Sequence, residues 1–111
     1  FARVHFATDS ATLDAPSRAA LDENARILLD HPRVTVRIEG HADERGTTDY
    51  NLALAERRAR AVQDHLSAHG LSRTRLPTQS YGEERPLVVA SDEAAWAENR
   101  RVEFVVLDPS A

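Results

Sequence analysis

The sequence predicts an α+β fold of two layers, in which two main helices pack on one face of a four-stranded mixed sheet. Several short segments alternate apolar and polar side chains, as half-buried strands do. Two longer segments repeat apolar residues at spacings of three and four, as amphipathic helices do. These segments follow one another in the order β-α-β-α-β-β, and their apolar faces can bury one another in two layers.

The first predicted elements are a strand and a helix. Val4 and Phe6 alternate with polar residues near the start of the chain, which indicates a strand with one buried face. Pro16 suits the first turn of a helix. Pro32 follows the predicted end of that helix, near residue 30. The apolar residues at helical spacing between the two prolines are Leu21, Ala25 and Leu28.

The clearest strand and the clearest helix come next, joined by a polar loop. The strand is predicted from the alternation of Val34, Val36 and Ile38 with polar residues, and the loop covers residues 40–48. The second helix is predicted over residues 49–68, with Gly70 beyond it as a residue suited to ending a helix. Its apolar stripe consists of Ala55, Ala59, Val62 and Leu66.

The rest of the chain predicts two more strands and one short helix. A weaker strand over residues 74–81 contains Pro77, which indicates a sheet edge or a bulge because proline cannot donate to a neighbouring strand. A short helix is expected over residues 92–98, and Val102 and Phe104 alternate with polar residues in the last strand. These two residues complete the predicted core. We expect one domain over residues 1–111, with a flexible tail at 107–111.

The composition excludes several functions. A chain of 111 residues has the size of one domain. It carries 18 acidic and 14 basic residues, and every basic residue is arginine, so the net charge of −4 argues against general nucleic-acid binding. The absence of cysteine excludes disulfides, thiolate zinc sites and cysteine nucleophiles. No apolar run approaches the roughly 20 residues of a membrane helix, and we expect no leader sequence at Phe1.

The densest cluster of polar residues lies in the loop at 40–46, between the clearest strand and the clearest helix. Domains built from sheets and helices often bind ligands at such a place. Asn51, Leu54 and Arg58 share one face of the following helix because they are three and four residues apart. Asp43 and Arg58 can therefore flank one pocket, which would suit a ligand with both an amine and a carboxylate. The alternative is that Asp43 caps the loop and Arg58 forms a surface ion pair.

A long run over Ile38–Val62, IEGHADERGTTDYNLALAERRARAV, resembles the signature of the OmpA-like peptidoglycan-binding domain. The similarity continues in Ser80–Pro86 and in Asn99–Phe104. The segment Val4–Asp9 is similar to the family's first strand and the loop after it. The resemblance covers nearly the whole chain and is strongest to the lipoprotein branch of the family, although flagellar stator proteins and outer-membrane porins share the domain.

The resemblance implies a non-enzymatic binding protein. It would bind the stem peptide of peptidoglycan through diaminopimelate, without a cofactor, and so anchor the outer membrane or an envelope complex to the cell wall. It would act in the periplasm, associated with the outer membrane, and reach the membrane only through a segment outside this chain. A TolB-like β-propeller protein of the envelope is implied as a further partner, and a pure protein-interaction domain is the corresponding alternative.

The resemblance also assigns roles to residues. Asp43 matches the aspartate that receives the ligand's ammonium, and Arg58 matches the arginine that pairs with a ligand carboxylate. Leu54 would line the pocket and Asn51 would order the loop. We expect Asp43 in an exposed loop, attracted to Arg58 when no ligand is bound. Thr8 and Asp9 lie where the first loop would reach the ligand. The implied binding residues are therefore Thr8, Asp9, Asp43, Asn51, Leu54 and Arg58.

The main alternative is a metal-dependent hydrolase that acts on the cell wall. His65 and His69 have the i, i+4 spacing of a zinc-binding pair on a helix, although the glutamate of the H-E-x-x-H pattern is missing. Acid–base catalysis would instead pair His41 with Asp43 or Glu44. No nucleophile with a partnered base is evident, so we expect no catalysis and no metal, and we expect His41 to hold the loop by hydrogen bonds.

Overall fold

The structure is a computed structural model that describes residues 1–107 as one four-stranded sheet with three α-helices. The elements in chain order are β1 (Val4–His5), α1 (Ala15–Asp30), β2 (Thr35–His41), α2 (Thr48–Ser67), a 3₁₀ turn (Arg73–Arg75), β3 (Thr78–Gly82), α3 (Glu93–Asn99) and β4 (Arg101–Leu107). In the sheet, β2 is parallel to β3, and β4 runs antiparallel to both β1 and β2, in the order β1-β4-β2-β3. The predicted α+β fold with a mixed sheet is therefore confirmed.

Strand β2 is longer than the alternation of side chains indicated. Gly40 and His41, which we predicted in the loop, belong to the strand, because Gly40 pairs with Ser80 of β3 and Val102 of β4. Gly40 and His41 do not continue the apolar alternation, so the sequence pattern ends before them. Their backbone groups nevertheless pair with the neighbouring strands, so the strand continues. The irregular loop therefore starts two residues later, at Ala42.

Two boundaries in the second half also differ from the prediction. The segment before Pro77 forms the 3₁₀ turn rather than the start of a strand, and β3 begins after the proline at the edge of the sheet, where the proline indicated it would lie. Leu107, which we placed in the tail, pairs with Thr35 and ends β4. The rest of the predicted tail, residues 108–111, lies outside the described residues.

The core lies between the sheet and the two long helices, as predicted. All the predicted core residues are buried except Val34 and Phe104, which are partly buried and pack against the others. Leu71 and Leu76, from the segment between α2 and β3, complete the same cluster. Within residues 1–107 no helix combines the length and the apolar character needed to cross a membrane.

Gly40 allows α2 to approach the sheet closely. A Cβ atom on Gly40 would lie 1.9 Å from the carbonyl oxygen of Ala55, which is far inside van der Waals contact. Any larger residue at position 40 would therefore push α2 away from the sheet. This close approach sets the end of β2 beside the first turns of α2, where the predicted site residues lie.

Candidate functional site

A pocket of about 240 Å³ opens beyond the end of β2, between the loop after β1 and the first turns of α2. The structure brings all six predicted binding residues to this pocket, and they are Thr8, Asp9, Asp43, Asn51, Leu54 and Arg58. The sequence analysis assigned no role to the remaining lining residues, which are Ala42, Arg45, Gly46 and Tyr50. The lining includes two carboxylates and two guanidinium groups, so it can hold groups of either charge.

Arg58 is completely buried, although it carries a charge. Its Nε donates to the carbonyl oxygen of Ser10 at 2.8 Å, Nη1 to that of His41 at 3.0 Å and Nη2 to that of Ala7 at 3.1 Å. A guanidinium has five N–H groups, so one remains on each terminal nitrogen. Burial lowers the pKa of Arg58 to about 10, which still leaves the side chain charged at neutral pH. Arg58 thus ties the loop after β1 to the end of β2, and two of its N–H groups have no acceptor among residues 1–107.

Asp43 is paired with Arg45 rather than with Arg58. The Oδ1 atom of Asp43 accepts from the backbone N–H of Arg45 at 2.9 Å, and Oδ2 accepts from Nη2 of Arg45 at 2.9 Å. On its other side, Nη1 of the buried Arg100 lies 3.6 Å from Oδ2 and has no hydrogen-bond partner within residues 1–107. The expected attraction to Arg58 is present, because the charge of Asp43 counteracts the effect of burial on the pKa of Arg58, but within the described residues no hydrogen bond or ion pair joins the two side chains.

The expected exposure of Asp43 is wrong, because only 7% of the residue is exposed. Burial by itself raises the pKa of Asp43, but the hydrogen bonds from Arg45 outweigh this effect and hold the pKa below its usual value. Asp43 is therefore a buried, ionised carboxylate between two arginines. Its position follows from β2, which ends two residues before it.

Arg45 covers Asp43 from the solvent side. Its guanidinium also donates to Oγ1 of Thr8 at 3.2 Å and lies 4.2 Å from the centre of the Trp96 ring. The side chain is 38% exposed, so it can leave this position more easily than the buried arginines. The contact with Trp96 of α3 could not be inferred from the sequence, because the two residues lie about half the chain apart.

The loop after β1 is held against α2 by a second polar contact. The hydroxyl of Tyr50 donates to Oδ1 of Asp9 at 3.1 Å. Burial raises the pKa of Tyr50, and the hydrogen bond to Asp9 adds to the effect, so the hydroxyl keeps its proton. Asp9 has a φ of 56°, in the left-handed region that aspartate tolerates better than most residues. Its carboxylate therefore faces the pocket from a tight turn.

Asn51 and Leu54 form the α2 side of the pocket, as predicted. The Nδ2 atom of the buried Asn51 donates to Oε1 of Glu83 at 2.9 Å, so Asn51 joins α2 to the segment after β3 rather than to the loop at 40–48. Leu54 is 3% exposed and supplies apolar surface. A ligand here would therefore meet one apolar wall between charged groups.

His41 does not play the part we predicted for it. Within the described chain neither ring nitrogen has a hydrogen-bond partner, and the nearest carboxylate oxygen, on Glu39, is 3.9 Å away. The ring stacks on Tyr81 at 5.5 Å between centroids. Burial, together with the positive charge of Arg101, lowers the pKa of His41 to about 4, so the ring is neutral at physiological pH. Only its backbone carbonyl, which accepts from Arg58, contributes to the site.

Comparison with known proteins gives the family of this chain. Residues 5–100 match the OmpA family, and the chain belongs to that family. It is similar to the peptidoglycan-associated lipoproteins of Rhizobium meliloti (strain 1021), at 46% identity over 104 residues, and of Pseudomonas aeruginosa, at 48% over 100 residues. The resemblance stated from the sequence is confirmed. These alignments cover 94% and 90% of this chain but 59% of each relative, so the chain spans about three fifths of their length.

Solved structures show the same fold. The crystal structure of the peptidoglycan-associated lipoprotein from Burkholderia pseudomallei has a TM-score of 0.92 and 40% identity, and the match covers 95% of this chain and 89% of that one. The C-terminal domain of Helicobacter pylori MotB has a TM-score of 0.89 at 22% identity, covering 97% of this chain and 85% of that domain. At that level of identity the MotB match shows the fold alone.

Proposed function

We propose that this domain binds peptidoglycan without cleaving it, and that it does so by holding the diaminopimelate of a stem peptide in the pocket. The observation that carries the proposal is that two buried groups of opposite charge, the carboxylate of Asp43 and the guanidinium of Arg58, line the same pocket. Diaminopimelate in a stem peptide presents an ammonium and a carboxylate close together. The names of the similar lipoproteins support peptidoglycan as the polymer.

Arg58 would receive the carboxylate. Three of its N–H groups are bound to backbone carbonyls, so the guanidinium is already oriented before the ligand arrives. The two remaining N–H groups can donate to the ligand's carboxylate, and such charge-assisted bonds are the stronger class of hydrogen bond. A bound carboxylate would also compensate a buried positive charge that has no carboxylate in direct contact among the described residues.

Asp43 would receive the ammonium in place of Arg45. The carboxylate of Asp43 is already buried and ionised. Ligand binding would therefore exchange one cation beside Asp43 for another, and would not have to move this carboxylate out of water. Arg45 can move because it is partly exposed, and Trp96 offers its guanidinium an aromatic face to rest on. Arg45 would thus keep Asp43 paired in the empty site and release it when the ligand enters.

Replacing Asp43 with asparagine is expected to lower the affinity for the stem peptide tenfold to a hundredfold. The reason is that a hydrogen bond between charged groups contributes roughly 1.5–3 kcal/mol, and the substitution keeps the shape but removes the charge. Because Asp43 is buried and bonded to Arg45, we also expect a loss of stability of about 1 kcal/mol. Calorimetric titration and thermal melting of the same sample measure both effects.

Glu44→Gln is the matched control for this substitution, because Glu44 is an exposed carboxylate one residue further along the loop. It should bind the stem peptide like the unchanged protein. If Asp43→Asn binds as tightly as Glu44→Gln, Asp43 does not contact the ligand and the proposed role of the carboxylate is wrong.

The proposed function is tested by titration with muropeptides that differ only in the third residue of the stem. Binding should be strongest with diaminopimelate, and weaker with its amidated form or with lysine, since both lack the carboxylate that Arg58 would hold. Equal affinity for all three would contradict the assignment of the pocket. Incubation with intact sacculi separates binding from hydrolysis, because a binding domain sediments with them whereas a hydrolase solubilises them.

We further infer that the full-length protein works at the outer membrane, in the periplasm, where it ties the envelope to the wall. The names of the lipoprotein relatives support this location. A TolB-like protein of the envelope remains the proposed second partner. Co-purification of the two proteins from detergent-solubilised envelopes, with and without the added muropeptide, would test that partnership separately from wall binding.

A further inference from the structure

Three metal-binding side chains meet at the end of α2 that lies away from the pocket. His65 belongs to the last turn of α2, His69 follows the helix, and Asp22 reaches them from α1. The Nε2 atoms of His65 and His69 lie 2.7 Å and 3.0 Å from the same oxygen, Oδ1 of Asp22. The sequence placed the two histidines at a suitable spacing, but only the packing of α1 against α2 adds the third ligand.

The orientation of His69 shows which of its nitrogens is free. Its Nδ1 lies 3.0 Å from the backbone carbonyl of His65, and a carbonyl can only accept, so Nδ1 carries the hydrogen. Nε2 of His69, which lies 3.0 Å from Oδ1 of Asp22, is therefore the ring nitrogen that can give its lone pair to a metal ion held between the ring and the carboxylate.

The same arrangement is favourable for a metal ligand. A histidine that binds a metal through Nε2 usually donates Nδ1–H to a carbonyl or carboxylate, which holds the ring in place. His69 makes this contact with the carbonyl of His65. The ring of His65 is only 17% exposed, so it is also held by its surroundings, whereas Asp22 is 51% exposed and free to adjust.

We propose that Asp22, His65 and His69 form a binding site for a divalent transition metal of the zinc type, which joins α1 to the end of α2. Two imidazoles and one carboxylate are a ligand set that zinc accepts, with water in the fourth position. Zinc bonds to nitrogen and oxygen are about 2.0–2.2 Å long, so tetrahedral ligands lie about 3.3 Å apart. The observed 2.7 Å and 3.0 Å reach that spacing if the carboxylate of Asp22 moves by about half an ångström.

This site is independent of the proposed wall binding. Arg58 of the pocket and His65 are seven residues apart along α2, which corresponds to about 10 Å along the helix axis. None of the three proposed ligands lines the pocket. The metal would therefore act on the stability of the helix pair rather than on the ligand, and removing it should leave peptidoglycan binding unchanged.

The experiment is a thermal melt at pH 7.5 of the metal-free protein, with and without zinc chloride, combined with a calorimetric zinc titration. We expect one zinc ion per chain and a rise in Tm of about 10 °C when free zinc is a hundredfold above its Kd. Magnesium prefers oxygen ligands in an octahedral arrangement, so it should produce no shift.

His69→Gln is the main variant, because His69 is 39% exposed and its replacement should leave the fold intact. It should lose most of the zinc-induced shift while its melting temperature without metal stays close to that of the unchanged protein. Asp22→Asn, at an even more exposed position, should do the same. His5→Gln is the control for zinc bound by an unrelated surface histidine, and it should keep the full shift.

The proposal is wrong if zinc does not change the melting temperature, or if His69→Gln and His5→Gln respond to zinc equally. Sedimentation with sacculi in the presence of a chelator tests the separation of the two sites. If the chelator leaves the zinc-free fold intact but abolishes sedimentation, the pocket assigned under the proposed function depends on metal. The independence of this site would then be wrong.

Discussion

Arg58→Lys is expected to lower the affinity for the stem peptide a hundredfold or more, nearly as much as Arg58→Ala. Lysine keeps the positive charge but concentrates its donors on one nitrogen, whereas the guanidinium presents a planar fork. That nitrogen cannot satisfy the carbonyls of Ala7, Ser10 and His41, which approach three different nitrogens of Arg58, and also hold a carboxylate. The loop that carries Thr8 and Asp9 would also lose the hydrogen bonds that hold it against α2. The pocket would then lose its shape as well as the guanidinium.

The same substitution should cost about 2–4 kcal/mol of the free energy of unfolding, because each buried carbonyl left without a donor costs about 1–3 kcal/mol. Denaturant titration measures this cost, and the affinity is compared under conditions where both proteins are folded. Arg57→Lys is the matched control, since Arg57 is the neighbouring exposed arginine on α2. Full affinity in Arg58→Lys would mean that the pocket needs only a positive charge, and the proposed bidentate contact would be wrong.

Gly40→Ala is expected to destabilise the domain by about 3 kcal/mol or more and to weaken ligand binding at the same time. The added methyl would lie 1.9 Å from the carbonyl oxygen of Ala55 and 2.7 Å from its carbonyl carbon, so α2 itself must move. Overpacking of this kind costs roughly 1–3 kcal/mol even where side chains can yield, and here the obstacle is helix backbone. Movement of α2 would also separate Arg58 from Asp43, which follows β2.

Gly70→Ala provides the contrast to Gly40→Ala. Gly70 has a φ of 92°, but a Cβ there would have no atom within 4 Å, so the expected cost is only the roughly 1–2 kcal/mol of a left-handed backbone. Binding should be unchanged, because Gly70 lies beyond the far end of α2. Thermal melts and muropeptide titrations of both variants test the argument. If Gly40→Ala is as stable as Gly70→Ala, the helix and the sheet are not in the close contact described above.

The chemistry of the site depends on the partners of each charged side chain, and only part of this was predictable. The spacing of Asn51, Leu54 and Arg58 placed them on one face of α2, and they do line one pocket. The spacing also suggested that Asp43 and Arg58 would flank that pocket, and they do, but it did not show that Arg45 would be the direct partner of Asp43. A residue two positions from Asp43 can fold back onto it, and nothing in an alternating or helical pattern reports such a contact.

The sequence by itself determined the order of the elements, most of the core and six of the ten residues that line the pocket, because these depend on local periodicity and on motifs that adjacent residues form. Only the tertiary structure decided which atoms the charged groups meet. Arg58 bonds to carbonyls 48 and 51 residues away, and Asp22 meets His65 across 43 residues. Such contacts depend on how closely helices and sheet approach, as at Gly40. That distance is a property of the packed molecule and of no single segment.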